Sequence, residues 1–144
     1  MAKKMPPSLR IKVSLPPSIN TQYSTVDGRR ILSKLSRQWK REVETRIRAL
    51  EIDGTLNDKD LGIFRKSYLS FFLEYYFTTP HRRDLDGGLK ITLDAVCAAL
   101  DLNDNRIVDL HLVKKIDPLE PRLEIVLEAV PSWEFDEQFV LLEE

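Results

Sequence analysis

Asp84 and Asp86 stand one residue apart in HRRDLDGGLK, residues 81–90, with Arg82 and Arg83 before them and Lys90 after. Two carboxylates so close repel each other unless a cation joins them. Magnesium is a natural partner, because it binds carboxylate and water oxygens, usually through one or two carboxylates, and completes its shell with phosphate. The flanking arginines and lysine supply the charge that a phosphate backbone would meet. These residue types therefore point to a divalent metal held against nucleic acid. Zinc fits less well: there is one cysteine, and His81 and His111 lie far apart without a ligand spacing. His81 is expected to border the site and His111 to lie on a strand face. GGLK lacks the leading glycine and the following Ser or Thr of a phosphate-binding loop, and neither histidine has a partner that would make a nucleophilic triad.

A purely structural reading of the same residues exists. Asp84 would cap a helix, Asp86 would complement the helix dipole, and Lys90 would pair with Asp86 and Asp94 at i, i+4. Each such contact contributes under ~1.5 kcal/mol. Three details favour the metal. Gly87 and Gly88 fall in the first turn of the expected helix, where each costs roughly 1 kcal/mol against alanine, and close approach of a ligand or of backbone would call for them. Asp86, Lys90 and Asp94 share a face opposite the leucine stripe. Finally, DLNDNR after the helix offers Asp101 and Asp104 where the chain can turn back.

The elements that must position these groups follow from periodicity. SLRIKVSL, residues 8–15, alternates Leu9, Ile11, Val13 and Leu15 with polar residues and predicts a half-buried strand. PPSINTQYSTVDGRR, residues 16–30, reads as a polar loop with Pro-Pro and an Asp-Gly turn signal. From about Ser33, the stripe Leu35, Trp39, Val43, Ile47 and Leu50 predicts a helix that stops before Asp53-Gly54. A polar connector is expected to about Lys66. YLSFFLEYYF, residues 68–77, predicts a central strand covered on both faces, with Ser70 and Glu74 marking a less buried side. Leu85, Leu89, Leu93, Val96 and Leu100 predict a helix from near Leu85 to Leu100. After a short loop, Ile107–Ile116 and Arg122–Val130 alternate as strands across a DPLEP turn, and an antiparallel hairpin is expected. The result is one α/β domain over residues 1–130, a mixed sheet of about four strands with two main helices. Residues 131–144 form an acidic, partly apolar extension.

The chain has 144 residues, 42% hydrophobic and 31% charged, an ordinary globular composition. No apolar run reaches the roughly 18 residues that span a bilayer, so no membrane partner is expected. MAKKMPPS lacks the apolar core of a secretion signal. Cys97 alone forms no intramolecular disulfide, and a reducing cytoplasm is the expected location. The net charge of −1 conceals segregation, because PSWEFDEQFVLLEE holds five of the 23 acids and no Lys or Arg. The rest carries 22 bases against 18 acids. Residues 29–50 carry eight bases (Arg29, Arg30, Lys34, Arg37, Lys40, Arg41, Arg46 and Arg48) against Glu42 and Glu44, a local +6 that attracts phosphates.

RRDLDGGLKITLDAVCAALDLNDNRIVDLHLVKK, residues 82–115, resembles the RusA family of Holliday junction resolvases. That family's pattern is roughly RRDLDN-x-x-K, a helix with a D-A-(L/V) step, then L-D-D and a strand beginning V-x-x. LPPSINTQY is similar to the family's opening loop, and the likeness runs from about Ser14 to Val130, weakest in the middle. The resemblance implies a RusA-like fold and places the metal-binding aspartates on Asp84, Asp86 and Asp104, the essential lysine on Lys90 and the D-A-V step on Asp94. Asp101 competes with Asp104 for the third position. Gly87 and Asn103 depart from the pattern, standing where the family has asparagine and the first acid of L-D-D.

What the resemblance implies is a magnesium-dependent endodeoxyribonuclease, with manganese a possible substitute, acting as a homodimer on four-way DNA junctions in recombination and repair. Asp84, Asp86, Lys90 and Asp104 would be catalytic, and Arg82, Arg83, Arg29, Arg30, Lys34 and Arg37 are candidates for phosphate contacts. Two rivals stand beside it. One is a metal-dependent nuclease or phosphohydrolase of different substrate preference. The other is a non-catalytic junction-binding module. In the extension, Trp133, Phe135, Phe139, Val140, Leu141 and Leu142 are too apolar for a solvated tail, and packing on the body or on a partner subunit is expected.

Overall fold

Alternation builds the sheet. In the computed structural model, which describes residues 5–81 and 83–135, β1 (Ser8–Val13) buries Leu9, Ile11 and Val13 and exposes the residues between them. Among the described residues six strands and three α-helices follow one order: β1, β2 (Tyr23–Val26), β3 (Arg29–Leu32), α1 (Lys34–Ile52), α2 (Asp58–Lys66), β4 (Tyr68–Phe77), α3 (Leu89–Leu100), β5 (Ile107–Ile116) and β6 (Arg122–Val130). The main sheet runs β1-β6-β4-β5, with β5 parallel to β4 and the other pairings antiparallel. A parallel pair needs a crossover, and α3 supplies it. The chain is thus the expected α/β domain with a mixed four-stranded sheet.

One face of the sheet holds the core. Leu69, Phe71, Leu73, Tyr75 and Phe77 of β4 and Leu123, Ile125 and Leu127 of β6 point to the same side as the apolar residues of β1. Helix α1 brings Trp39, Val43 and Ile47 to that core, and α3 brings Ile91, Ala95, Val96 and Leu100. Ser33 caps α1, its hydroxyl accepting from the Ser36 N–H at 3.1 Å. Leu35 lies outside the stripe and is exposed; the buried face begins at Ser36.

Several expectations change. The last two strands do not pair with each other: β6 lies between β1 and β4, and β5 takes the edge beside β4. Both alternate, but only β6 carries a fully buried row, which suits an interior strand. β4 is covered on one face alone, and Phe72 on the other is exposed. The expected loop 16–30 contains strand β2 and the beginning of β3, an antiparallel hairpin turned by Asp27 and Gly28 at φ 51° and 75°, the left-handed pair such two-residue turns require. The connector holds α2, opened by a capping box between Asn57 and Asp60. Finally, α3 begins at Leu89, with Leu85–Gly88 forming a turn before it.

Among the described residues no helix is long and apolar enough to cross a membrane. In the extension, Phe135 meets the Tyr68 ring edge-on at 5.8 Å. Phe139, Val140, Leu141 and Leu142 lie outside the described residues.

Candidate metal and nucleic-acid site

The segment after β4 is pinned from both sides. Arg83 donates from Nη2 to the Pro16 carbonyl at 2.8 Å and lies over the Phe77 ring. Gln22, only 4% exposed, donates from Nε2 to the carbonyls of Gly87 at 2.7 Å and Pro17 at 2.9 Å. Across the segment, the Lys114 ammonium of β5 donates to the carbonyls of Pro80 and Arg83 at 3.1 and 2.8 Å. A Cβ on Gly88 would stand 2.5 Å from the Pro16 Cγ. The close approach that Gly88 permits is therefore that of the opening loop, and no ligand is needed to explain it. Thr92 ties the start of α3 to the same place, its hydroxyl donating to the Gly88 carbonyl at 2.6 Å, beside the buried Tyr75 hydroxyl.

Within this frame Asp84 and Asp86 shape the turn through their backbones. The Gly87 N–H donates to the Asp84 carbonyl at 3.3 Å, and the Leu89 N–H to the Asp86 carbonyl at 3.1 Å. Both side chains are exposed. Neither caps α3: the N-cap is Gly88, without a side-chain bond. Among the described residues no side chain engages either carboxylate. Lys90 pairs with Asp94 at 3.4 Å, the i, i+4 contact, rather than with Asp86.

The far end of α3 holds the other acids. Asp101 closes the helix in the left-handed conformation at φ 55°, and the Leu102 N–H returns to the Cys97 carbonyl at 2.8 Å. The Asn103 amide oxygen then accepts from the Asn105 N–H at 3.1 Å and starts a single 3-10 turn at Asp104–Arg106. Asn103 thus has a local capping duty. These bends bring Asp94, Asp101 and Asp104 around one hollow of about 590 Å³, with Lys40 of α1 on its wall. Cys97 lines it too, and its thiol is pushed up to about 11 by burial first and then by the charges of Asp104 and Asp94.

The two carboxylate groups are separate. α3 has 12 residues, ~18 Å at the helical rise, with Asp84 and Asp86 before its first residue and Asp101 and Asp104 after its last. The structure gathers Asp104 with Asp94 and Asp101, leaves Asp84 beside Asp86, and sets Lys90 between the groups. Among the described residues, no three His, Cys, Asp or Glu side chains form a group that could hold a metal ion. Carboxylate oxygens are nonetheless the donors a hard cation takes, and one or two suffice when phosphate and water complete the shell.

The basic candidates divide. Arg29 and Arg30 lie on the β2–β3 hairpin, and Lys34 and Arg37 on the first turn of α1, all exposed. Arg83 turns inward, where burial lowers its affinity for the proton; Arg82 lies outside the described residues. His81 is exposed beside the turn, whereas His111 sits on the open sheet face, 3.1 Å from Asp109 and stacked on Phe72. Sequence reasoning missed Gln22, Lys114 and Pro16 as supports and Lys40 as a lining residue. Lys40 had a signal in the basic run; Pro16 and Gln22 lie in LPPSINTQY, the stretch similar to the RusA opening loop, but nothing in it marks them as supports of the turn. No family model matches the chain, and no curated protein matches it.

Proposed function

We propose that the chain is a magnesium-dependent endodeoxyribonuclease of the RusA kind, resolving four-way DNA junctions by phosphodiester hydrolysis. One observation carries the reading. Asp84 and Asp86 sit on a turn anchored by Gln22, Arg83 and Lys114, yet their carboxylates engage no described side chain. A capping role would have occupied them. An anchored turn that presents two carboxylates without a side-chain partner among the described residues is suited to an external cation.

Asp84 and Asp86 would hold Mg²⁺, or Mn²⁺ in its place, and Asp104 would act apart from that ion, from the hollow beyond the far end of α3. When bound, such an ion activates water and polarises a phosphoryl oxygen. Lys90 would offer its ammonium, 77% exposed, to a phosphate oxygen on which charge develops. Lys34 and Arg37 would meet phosphates farther along. Two opposed strands are cut in register most simply by two copies of the chain, so a symmetric homodimer belongs to the proposal. A reducing cytoplasm, where Cys97 stays a buried thiol, is the proposed location.

The test is cleavage of a mobile four-way junction across a magnesium titration, with Asp84→Asn and Asp104→Asn beside the unaltered chain. Each variant is expected to lose roughly a hundredfold or more in rate while keeping its melting temperature. Equal or faster cutting of flaps or linear duplex would favour the less selective nuclease. Junction binding without cutting in either metal would favour the binding module.

A further inference from the structure

The β2–β3 hairpin is a two-stranded sheet of its own, exposed except at its root. Paired residues share a face of a two-stranded ribbon, and the register sets Tyr23 opposite Leu32, Ser24 opposite Ile31, Thr25 opposite Arg30 and Val26 opposite Arg29. One face therefore carries Tyr23, Thr25, Arg30 and Leu32. It holds the root: Tyr23 and Leu32 are partly buried, and the Arg30 guanidinium lies 4.3 Å from the centre of the Tyr23 ring. The other face carries Ser24, Val26, Arg29 and Ile31, all exposed, with Val26 at 48% and Ile31 at 38%. This face thus joins two partly exposed β-branched side chains to an arginine, an apolar and cationic surface open to a partner.

The charge says which partner. Residues 23–37 hold Arg29, Arg30, Lys34 and Arg37 against the single acid Asp27. No carboxylate pairs with any of the four bases among the described residues. A narrow ribbon with cationic groups and small apolar side chains has the dimensions of a reader of a nucleic-acid groove. Its root is fixed to the carboxylate turn. The Gln22 carbonyl accepts from the Ser33 N–H at 2.9 Å and the Ser36 hydroxyl at 2.8 Å, while the Gln22 amide donates to Gly87. The arm and the turn thus share one buried residue.

We infer that the β2–β3 hairpin is a nucleic-acid-gripping arm: Arg29 and Arg30 take backbone phosphates, and Val26 and Ile31 lie against bases or sugars exposed where strands part. The substrate class rests on the proposed junction reading; the arm itself is tested by binding alone.

The experiment measures the affinity of the full chain for a four-way junction and for linear duplex in calcium, over a range of salt. R29A/R30A is expected to weaken binding at least about tenfold and to reduce the slope of log K against log salt by about two. R29K/R30K restores most of the affinity. V26S/I31S is expected to reduce the preference for junction over duplex severalfold while leaving the salt slope in place. Affinities within about twofold of the unaltered chain for both variants would overturn the inference. So would a change in sedimentation of V26S/I31S with DNA affinity unmoved, which would make the face a contact between copies of the chain. A chain that binds through the arm and never cuts contradicts the junction-resolving reading alone; one that cuts junctions while both arm variants bind normally contradicts the arm alone.

Discussion

Gln22 and Gly88 hold the carboxylate turn by opposite means. One supplies hydrogen bonds across 65 positions of sequence, and the other supplies the absence of a side chain against Pro16. Gln22→Ala leaves the Gly87 and Pro17 carbonyls without their donor, a loss of about 1–3 kcal/mol in a buried site. Gly88→Ala drives a methyl into the Pro16 ring and costs about 1–3 kcal/mol, whereas at Gly87 the nearest atom to an added Cβ is the Asp84 carbonyl at 3.4 Å. Chemical denaturation is expected to show Gly88→Ala clearly less stable than Gly87→Ala, and equal losses would contradict the packing described. These supports were not legible beforehand. DLDGG announces a special turn, but nothing in the sequence says that Pro16 lies over it, because that contact is made by folding alone.

At the level of elements, β4 divides cleanly between its two faces. Phe71→Ala empties a fully buried position and is expected to cost about 3–5 kcal/mol, while Phe72→Ala on the open face should cost under about 1 kcal/mol; similar losses at both would show the open face to be covered. Ion pairs on the open sheet face and in the turn between β5 and β6 also titrate. Hydrogen bonding to Lys115 holds Glu74 below the ordinary carboxylate range, and hydrogen bonding to Arg122 does the same for Asp117. A depressed folded-state value adds stability above the unfolded one, here near 4.5 and 3.8, and that stability is lost as pH falls through the folded values. Melting temperature is therefore expected to hold steady down to about pH 5 and fall below it, with Arg122→Ala flattening the fall. Strand and helix identities were readable because β1 and α1 carry clear periods and β4 is an almost continuous apolar and aromatic run. The pairing of β6 was not, since β5 and β6 alternate alike and only the register against β1 and β4 decides which is interior. Helix α2 escaped because its capping box is Asn-x-x-Asp and its apolar face rests on Leu61 and Phe64 alone.

For the molecule as a whole, the sheet is a platform crossed by α3, with a carboxylate group at either end of that helix. Asp84 and Asp86 lie before it and Asp101 and Asp104 beyond it, while Lys90 and Asp94 pair along its side. The sequence showed which carboxylates to consider; the helix length shows that they form two groups, which spacing along the chain could not disclose. The hairpin and the start of α1 add exposed positive charge, and Gln22 ties that region to the first group. We propose that this arrangement cuts DNA where four strands meet. The most direct test incubates the unaltered chain and Asp86→Asn with a synthetic mobile four-way junction in Mg²⁺, beside a linear duplex of the same sequence. Paired, symmetric cuts confined to the junction and absent from the variant are expected. An intact junction in both reactions, or equal cutting by the two chains, would contradict the proposal.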